Sequence, residues 1–320
     1  MGANRRWWWS EMQDARVSAA DFQALFDALS NWGRWGPDDE RGTLHLLTPE
    51  RVAAATRLVQ DGSSVTLSLP LNTHRAIHCP TPADHHMTLL GGTSTVAEPV
   101  HFIKDYVGLD YHNDGHTHID ALCHVGYRGL LYNDRPEDAI TEGGANVNAI
   151  ETLKDGLVGR GVLLDIPRLR GVPWLEPGEH IFAGDLEAAE RQQGVTVREG
   201  DILLVRTGHP RRLAERGPWN TPEAKAGLHP TAMTLVGARG VSVLGSDGNN
   251  DTAPSSTEGV AFPIHVLAIT AMGIHLLDYL QFEDLRTKCE RAGSWEFLFV
   301  AAPLRIMGGT GSPLNPVAIF

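Results

Sequence analysis

Cysteine is scarce. The three in this 320-residue chain, Cys79, Cys123 and Cys289, are too few and too scattered for a disulfide framework, so a reducing cytoplasm is expected. Positive charge is also short: 27 Lys and Arg face 39 Asp and Glu, for a net charge of −12. That balance argues against nucleic acid or an anionic membrane as partner, since both favour basic surfaces. No apolar run is long enough to span a bilayer. Arg5-Arg6 followed by Trp7-Trp8-Trp9 superficially resembles a twin-arginine export signal, but Ser10-Glu11 ends the apolar stretch with no cleavage site behind it. The Trp run reads instead as a docking arm at a subunit interface. Repeats, low-complexity tracts and linkers are missing, which favours one domain over 1–320 with an N-terminal helical arm over about 1–60. A Gly-x-Ser-x-Gly elbow is missing too, and Ser312 in Gly309-Thr310-Gly311-Ser312-Pro313 is not placed like one, so a serine hydrolase is disfavoured. The same glycines lack the following Lys of a phosphate loop.

What the chain does have is imidazole and carboxylate crowded into Tyr111–His124, YHNDGHTHIDALCH. His112, Asp114, His116, His118, Asp120 and His124 within one short stretch indicate a metal site. Thr117, Ile119 and Ala121 between them suggest a strand, and side chains two apart share a strand face, so His118 and Asp120 project together. The further ligand from this stretch is either His112 or His116. Asn113-Asp114-Gly115 is a turn signal that folds His112 back, which favours His112. Cys123, on the other face, reads as a small buried hydrophobe.

Around this stretch the pattern is mixed α/β. An amphipathic helix over 14–30 carries Phe22, Leu25, Phe26 and Leu29 on one stripe, and Asn31–Asp39 forms an ordered loop. Thr48-Pro49 starts a helix running to Val59, with a strand following through Val65, Leu67 and Leu69. Residues 72–104 show no regular pattern and read as a cavity-lining loop, with His85, His86 and Met87 as substrate-contact candidates. Apolar runs at Gly161–Ile166, Asp201–Arg206 and Val241–Asp247 read as strands, Asp185–Gln193 as a helix and Gly248–Glu258 as loop. Val266–Met272 reads as a buried helix ended by Gly273, and Ile274–Leu277 as a strand delivering Asp278. His265 and Asp278 are thereby candidate distal ligands. The apolar ending Val317–Phe320 suggests a tail tied to the body.

These residues resemble the metal-dependent cyclase-like hydrolases, a family that includes bacterial kynurenine formamidase and isatin hydrolase. Thr117-His118-Ile119-Asp120-Ala121-Leu122-Cys123-His124 matches the second half of the hallmark His-x-Gly-Thr-His-x-Asp-x-x-x-His. The first half departs: its first His falls at Asp114 and its Gly at His116. Longer members instead have His-Gly, a few residues, then Thr-His-x-Asp-Ala-Leu-x-His, where His112 corresponds to the first His. Asn31–Thr43, Arg160–Asp165, Gly200–Thr207, Pro263–Asp278 and Gly308–Phe320 look like further blocks of those members. His265 looks like the distal family His, and Asp278 stands where the family has Glu.

The resemblance implies a swivelling β/β/α fold, a homo-oligomer (dimer or tetramer) and a Zn²⁺ or Mn²⁺ site. It also implies hydrolysis of a small-molecule cyclic amide, imide or aryl formamide. His112, His118, Asp120, His265 and Asp278 are the expected metal ligands and His124 the expected general base and acid. Lactone hydrolysis, ring closure in secondary metabolism, and a non-catalytic binding protein are the alternatives.

Overall fold

The structure is a computed structural model that describes residues 16–92, 95 and 99–320. The Trp7–Trp9 arm and the first residues of the helix expected over 14–30 lie outside the described residues.

A nine-stranded mixed sheet forms the centre of the molecule. Its strands, in chain order, are β1 (Ser64–Thr66), β2 (His118–Asp120), β3 (Leu157–Asp165), β4 (Ile202–Arg206) and β5 (Val243–Ser246). They continue with β6 (His275–Asp278), β7 (Glu296–Ala301), β8 (Gly311–Pro313) and β9 (Val317–Ile319). Their spatial order is β1-β9-β7-β3-β4-β5-β6-β2-β8. The middle four, β3 to β6, run parallel. Parallel strands are buried on both faces, which is why Ile202–Arg206 and Val243–Ser246 are continuous buried runs without polar alternation.

The antiparallel flank positions the site. β2 lies between β6 and β8, with His118 opposite both Asp278 and Pro313, and Asp120 opposite Gly311. At the far edge β9 pairs with β1 through Val65↔Ala318 and Thr66↔Val317. The apolar tail is thus held inside the sheet.

Helix α1 (Ala19–Leu29) is capped by Ser18 Oγ, which accepts from the Asp21 amide. It buries Phe22 and Phe26, whose rings contact Tyr127, and Phe26 also meets Trp32 edge-on. Helix α2 (Pro49–Ala55) starts as expected, with Thr48 as cap and Pro49 inside the first turn, but tightens to a 3₁₀ turn over Thr56–Leu58.

Val266–Met272 is a helix of the wider π type, fully buried. The Asn31-Trp32 loop covers its last carbonyls. Trp32 Nε1 donates to Thr270 O (2.6 Å), the Asn31 amide to Ala271 O (2.9 Å) and Asn31 Nδ2 to Met272 O (2.8 Å). Gly273, at φ 67°, ends it in the left-handed conformation that suits glycine.

Three expectations need correction. Residues 72–104 are not wholly irregular: Asp84–Leu89 pairs antiparallel with Lys104–Gly108 as a separate hairpin. The strand expected through Leu69 ends at Thr66. The strand in the His-rich stretch is only three residues long, because the chain turns at once to bring His124 back.

Candidate metal centre

Asp120 is the hub. Its side chain is fully buried and neither carboxylate oxygen receives a well-aligned hydrogen bond among the described residues. Four imidazoles face it instead. On Oδ1, His112 Nδ1 lies at 3.0 Å, His118 Nε2 at 3.6 Å and His124 Nε2 at 3.9 Å. His265 Nε2 lies 3.6 Å from Oδ2 and 3.4 Å from Asp278 Oδ2. A buried carboxylate left without donors is costly unless something cationic meets it. His112, Asp120 and His124 have ligand atoms close enough together to hold one ion, and so do His118, Asp120 and Asp278.

Each side chain reaches this point for a local reason. His118 and Asp120 share the face of β2, as a two-residue strand spacing dictates. His112 comes back through the Asn113 turn: Asn113 Oδ1 accepts from the Gly115 amide at 2.8 Å, and the Asn113 amide donates to Tyr111 O at 2.9 Å. Gly311 on β8 makes room for it, since a Cβ there would sit 2.4 Å from Ile119 O and 2.8 Å from His112 Cε1. His124 follows a turn in which its amide bonds Ala121 O at 3.0 Å. Its ring then lies flat on that of His112, centroids 3.9 Å apart and 5° from parallel.

The outer hydrogen bonds fix which nitrogen is free. His118 Nδ1 bonds the His116 carbonyl (2.8 Å), and His265 Nδ1 bonds Asp251 Oδ2 (2.5 Å). In both rings Nε2 is thereby the nitrogen turned towards Asp120, the arrangement in which a second partner orients a ligating imidazole. Asp251 is itself anchored by the Ile264 amide at 2.7 Å, and Asp278 Oδ1 accepts from Asn250 Nδ2 at 2.6 Å. His112 Nε2 meets Thr310 Oγ1 at 3.0 Å.

Burial pushes the His124 ring down to about 4, so it is neutral near pH 7. Burial opposes charge on His265 as well, but contacts with Asp120, Asp251 and Asp278 hold it well above its ordinary range. Asp120 is pulled well below the usual carboxylate range against its burial, by the surrounding imidazoles, His124 first. The His112 and His124 side chains keep 20% and 27% of their surface, while His118, Asp120 and Asp278 keep 4% or less.

All six expected ligand or proton-transfer residues, His112, His118, Asp120, His124, His265 and Asp278, therefore come together. His116 stays apart with its ring buried and offers the cluster only its carbonyl. His86 and Met87 lie on the separate hairpin, both exposed. The His86 ring contacts Asp84 and Tyr106, and Met87 pairs with Asp105. Sequence reasoning missed Asp251, Asn250 and Thr310. Only the run of polar residues after β5, Gly248–Thr252, hinted at the first two.

The Cyclase family model matches residues 65–250. A solved structure of a novel cyclase is 32% identical, covers 92% of this chain and 99% of its own, and superposes with a TM-score of 0.84. Isatin hydrolase A from Ralstonia solanacearum is 22% identical over 84% of this chain and 95% of its own, with a TM-score of 0.57. Isatin hydrolase A from Labrenzia aggregata, bound to benzyl benzoate, is 18% identical over 82% of this chain and 94% of its own, at 0.59. At that identity the last two show a shared fold. No curated protein matches. The family match over most of the central sheet, and the 32%-identical cyclase along nearly the whole length, show that this chain belongs to the Cyclase family.

Proposed function

We propose that this chain is a metal-dependent hydrolase that cleaves a C–N bond of a small cyclic amide, imide or aryl formamide. The observation that carries this reading is Asp120, buried, without a well-aligned hydrogen bond among the described residues, and ringed by four imidazoles. The isatin hydrolases and a predicted metal-dependent hydrolase from Bacillus stearothermophilus share its fold, which supports the reading.

His112, His118 and Asp120 would hold the ion, with Asp278 and His265 on the Oδ2 side of Asp120. Nitrogen and carboxylate donors of this kind suit Zn²⁺ or Mn²⁺. When bound, such an ion acidifies water and polarises a carbonyl. The residues then supply the proton traffic. A water oxygen adds to the carbonyl carbon while His124 Nε2 takes its proton. The C–N bond breaks and His124 returns that proton to the leaving nitrogen, a contribution of about 10²–10⁴-fold. The stacked His112 ring keeps His124 beside Asp120 for both transfers. The three cysteines are free and buried, which supports a reducing, cytoplasmic setting.

His124 has a second possible role, because its Nε2 belongs to a ligand-competent group with His112 and Asp120. One experiment separates the two. His118→Ala should lose metal and hydrolysis together, whereas His124→Ala should keep metal by elemental analysis and lose turnover of amides, imides and lactones by at least about a hundredfold. Equal metal loss in the two variants would make His124 a ligand.

A further inference from the structure

Beside the cluster lies a second buried polar group that the hydrolytic scheme leaves unused. Lys225 is 2% exposed, and among the described residues its ammonium meets Tyr279 Oη in a long hydrogen bond of 3.4 Å, Asp114 Oδ2 at 3.7 Å and the Phe262 ring at 5.9 Å. Asp114 Oδ2 is likewise buried without a hydrogen bond among the described residues. Ion pairs in an interior normally close to hydrogen-bond distance, because an open pair keeps the desolvation cost and forfeits the return.

Several contacts tie this pair to the metal cluster. Asp114 sits in the turn between His112 and His118. Phe262 packs against the His265 ring at 5.8 Å, and the Tyr279 ring lies 6.3 Å from that of His118. Tyr279, directly after Asp278, is held at φ 54°, a left-handed conformation that is costly for an aromatic residue. Its backbone is pinned there by Thr117 Oγ1 donating to its carbonyl (2.5 Å) and by its own amide donating to Gly248 O (2.8 Å). Strain of this kind persists only where the surroundings over-determine it, and here it sets a phenol beside a buried ammonium.

An ammonium only donates and an ionised carboxylate only accepts. An anionic ligand would meet Asp114, and a cationic one would meet Lys225. A neutral ring with C=O and N–H side by side satisfies both. We propose that Lys225 and Asp114 read the unsubstituted edge of a cyclic imide or ureide, Asp114 accepting from the ring N–H and Lys225, with Tyr279, donating to the carbonyl that is not cleaved. This deepens the hydrolytic reading and rests on it. Phe262 and Tyr279 supply aromatic walls.

The test is calorimetric binding of succinimide and N-methylsuccinimide to the full chain in the His124→Ala background, where turnover does not consume the probe. The N–H compound should bind about tenfold to a hundredfold more tightly, the worth of one hydrogen bond to a charged group. Asp114→Ala should abolish that preference, and Lys225→Met should weaken both ligands alike. Equal affinities for the two compounds would overturn the proposal, as would a preference that survives Asp114→Ala. The comparison within one protein stands even if a variant misfolds. Hydrolysis by the metal-loaded wild-type chain is scored separately: turnover with equal affinities sinks the edge reading alone, whereas no turnover of any amide, imide or formamide sinks the hydrolytic reading on which it rests.

Discussion

Asp251 touches nothing that reacts, yet it decides how His265 presents itself. Its Oδ2 takes the Nδ1 proton at 2.5 Å while Oδ1 is fixed by the Ile264 amide. The ring can then neither flip nor change tautomer without giving up that buried bond to the carboxylate. Asp251→Asn replaces that acceptor with a group that can also donate, so His265 loses its fixed orientation. Metal affinity should fall about 10–100-fold, measured by competition with a chromogenic chelator, while the circular dichroism spectrum stays unchanged. Unaltered affinity would place His265 outside the ligand set. The His118 ring is fixed differently, by the carbonyl of His116 two residues earlier, a bond that survives any change of the His116 side chain.

Among the elements, β8 contributes least chemistry and most geometry. Gly311 lets the His112 ring lie over it, and any Cβ would press on the Ile119 carbonyl, which cannot yield. Gly311→Ala should therefore cost about 1–3 kcal/mol in denaturant unfolding and lower metal content as well. Full metal retention would show that His112 is not held through β8. The pairing of His118 with Asp120 was legible in the sequence because a strand repeats every two residues, and the return of His112 because Asn-Asp-Gly signals a turn. Asp251 and Thr310 were not legible. They arrive from segments roughly 130 and 190 residues beyond β2 in sequence, and no local period encodes such an approach. The hairpin at Asp84–Leu89 escaped notice for another reason: it is exposed on both faces, so it carries no alternation of apolar and polar residues. The π-helix read as an ordinary buried helix, since seven consecutive apolar or small residues do not distinguish hydrogen-bonding patterns.

For the whole molecule the interior histidines set the response to acid. Burial pushes His275 down to about 3 and His209 and His180 down to about 4, all below their usual 6.5. Between the folded and the usual value the unfolded chain binds a proton that the folded chain refuses. Stability from these rings is therefore complete above pH 6.5 and declines as the pH falls towards 3–4. Buried Asp201 and Asp247 work the other way. Burial raises both to about 6, so protonation below that value relieves the folded state. His275→Leu isolates one term. It should shrink the difference in urea-unfolding free energy between pH 7 and pH 5 by about 2 kcal/mol. An unchanged difference would mean that the ring is already charged or reaches water.

The nine-stranded sheet has β1, paired with β9, at one edge and β8 at the other, and the metal cluster is seated against β8. During synthesis, the imidazoles of the His-rich stretch leave the ribosome almost two hundred residues ahead of the strand that seats them. Until that strand arrives, they are exposed polar side chains with no shared target. Assembly of the ion-binding pocket therefore waits for β8, and a polypeptide released before Gly311 would lack it however well its parallel strands had formed.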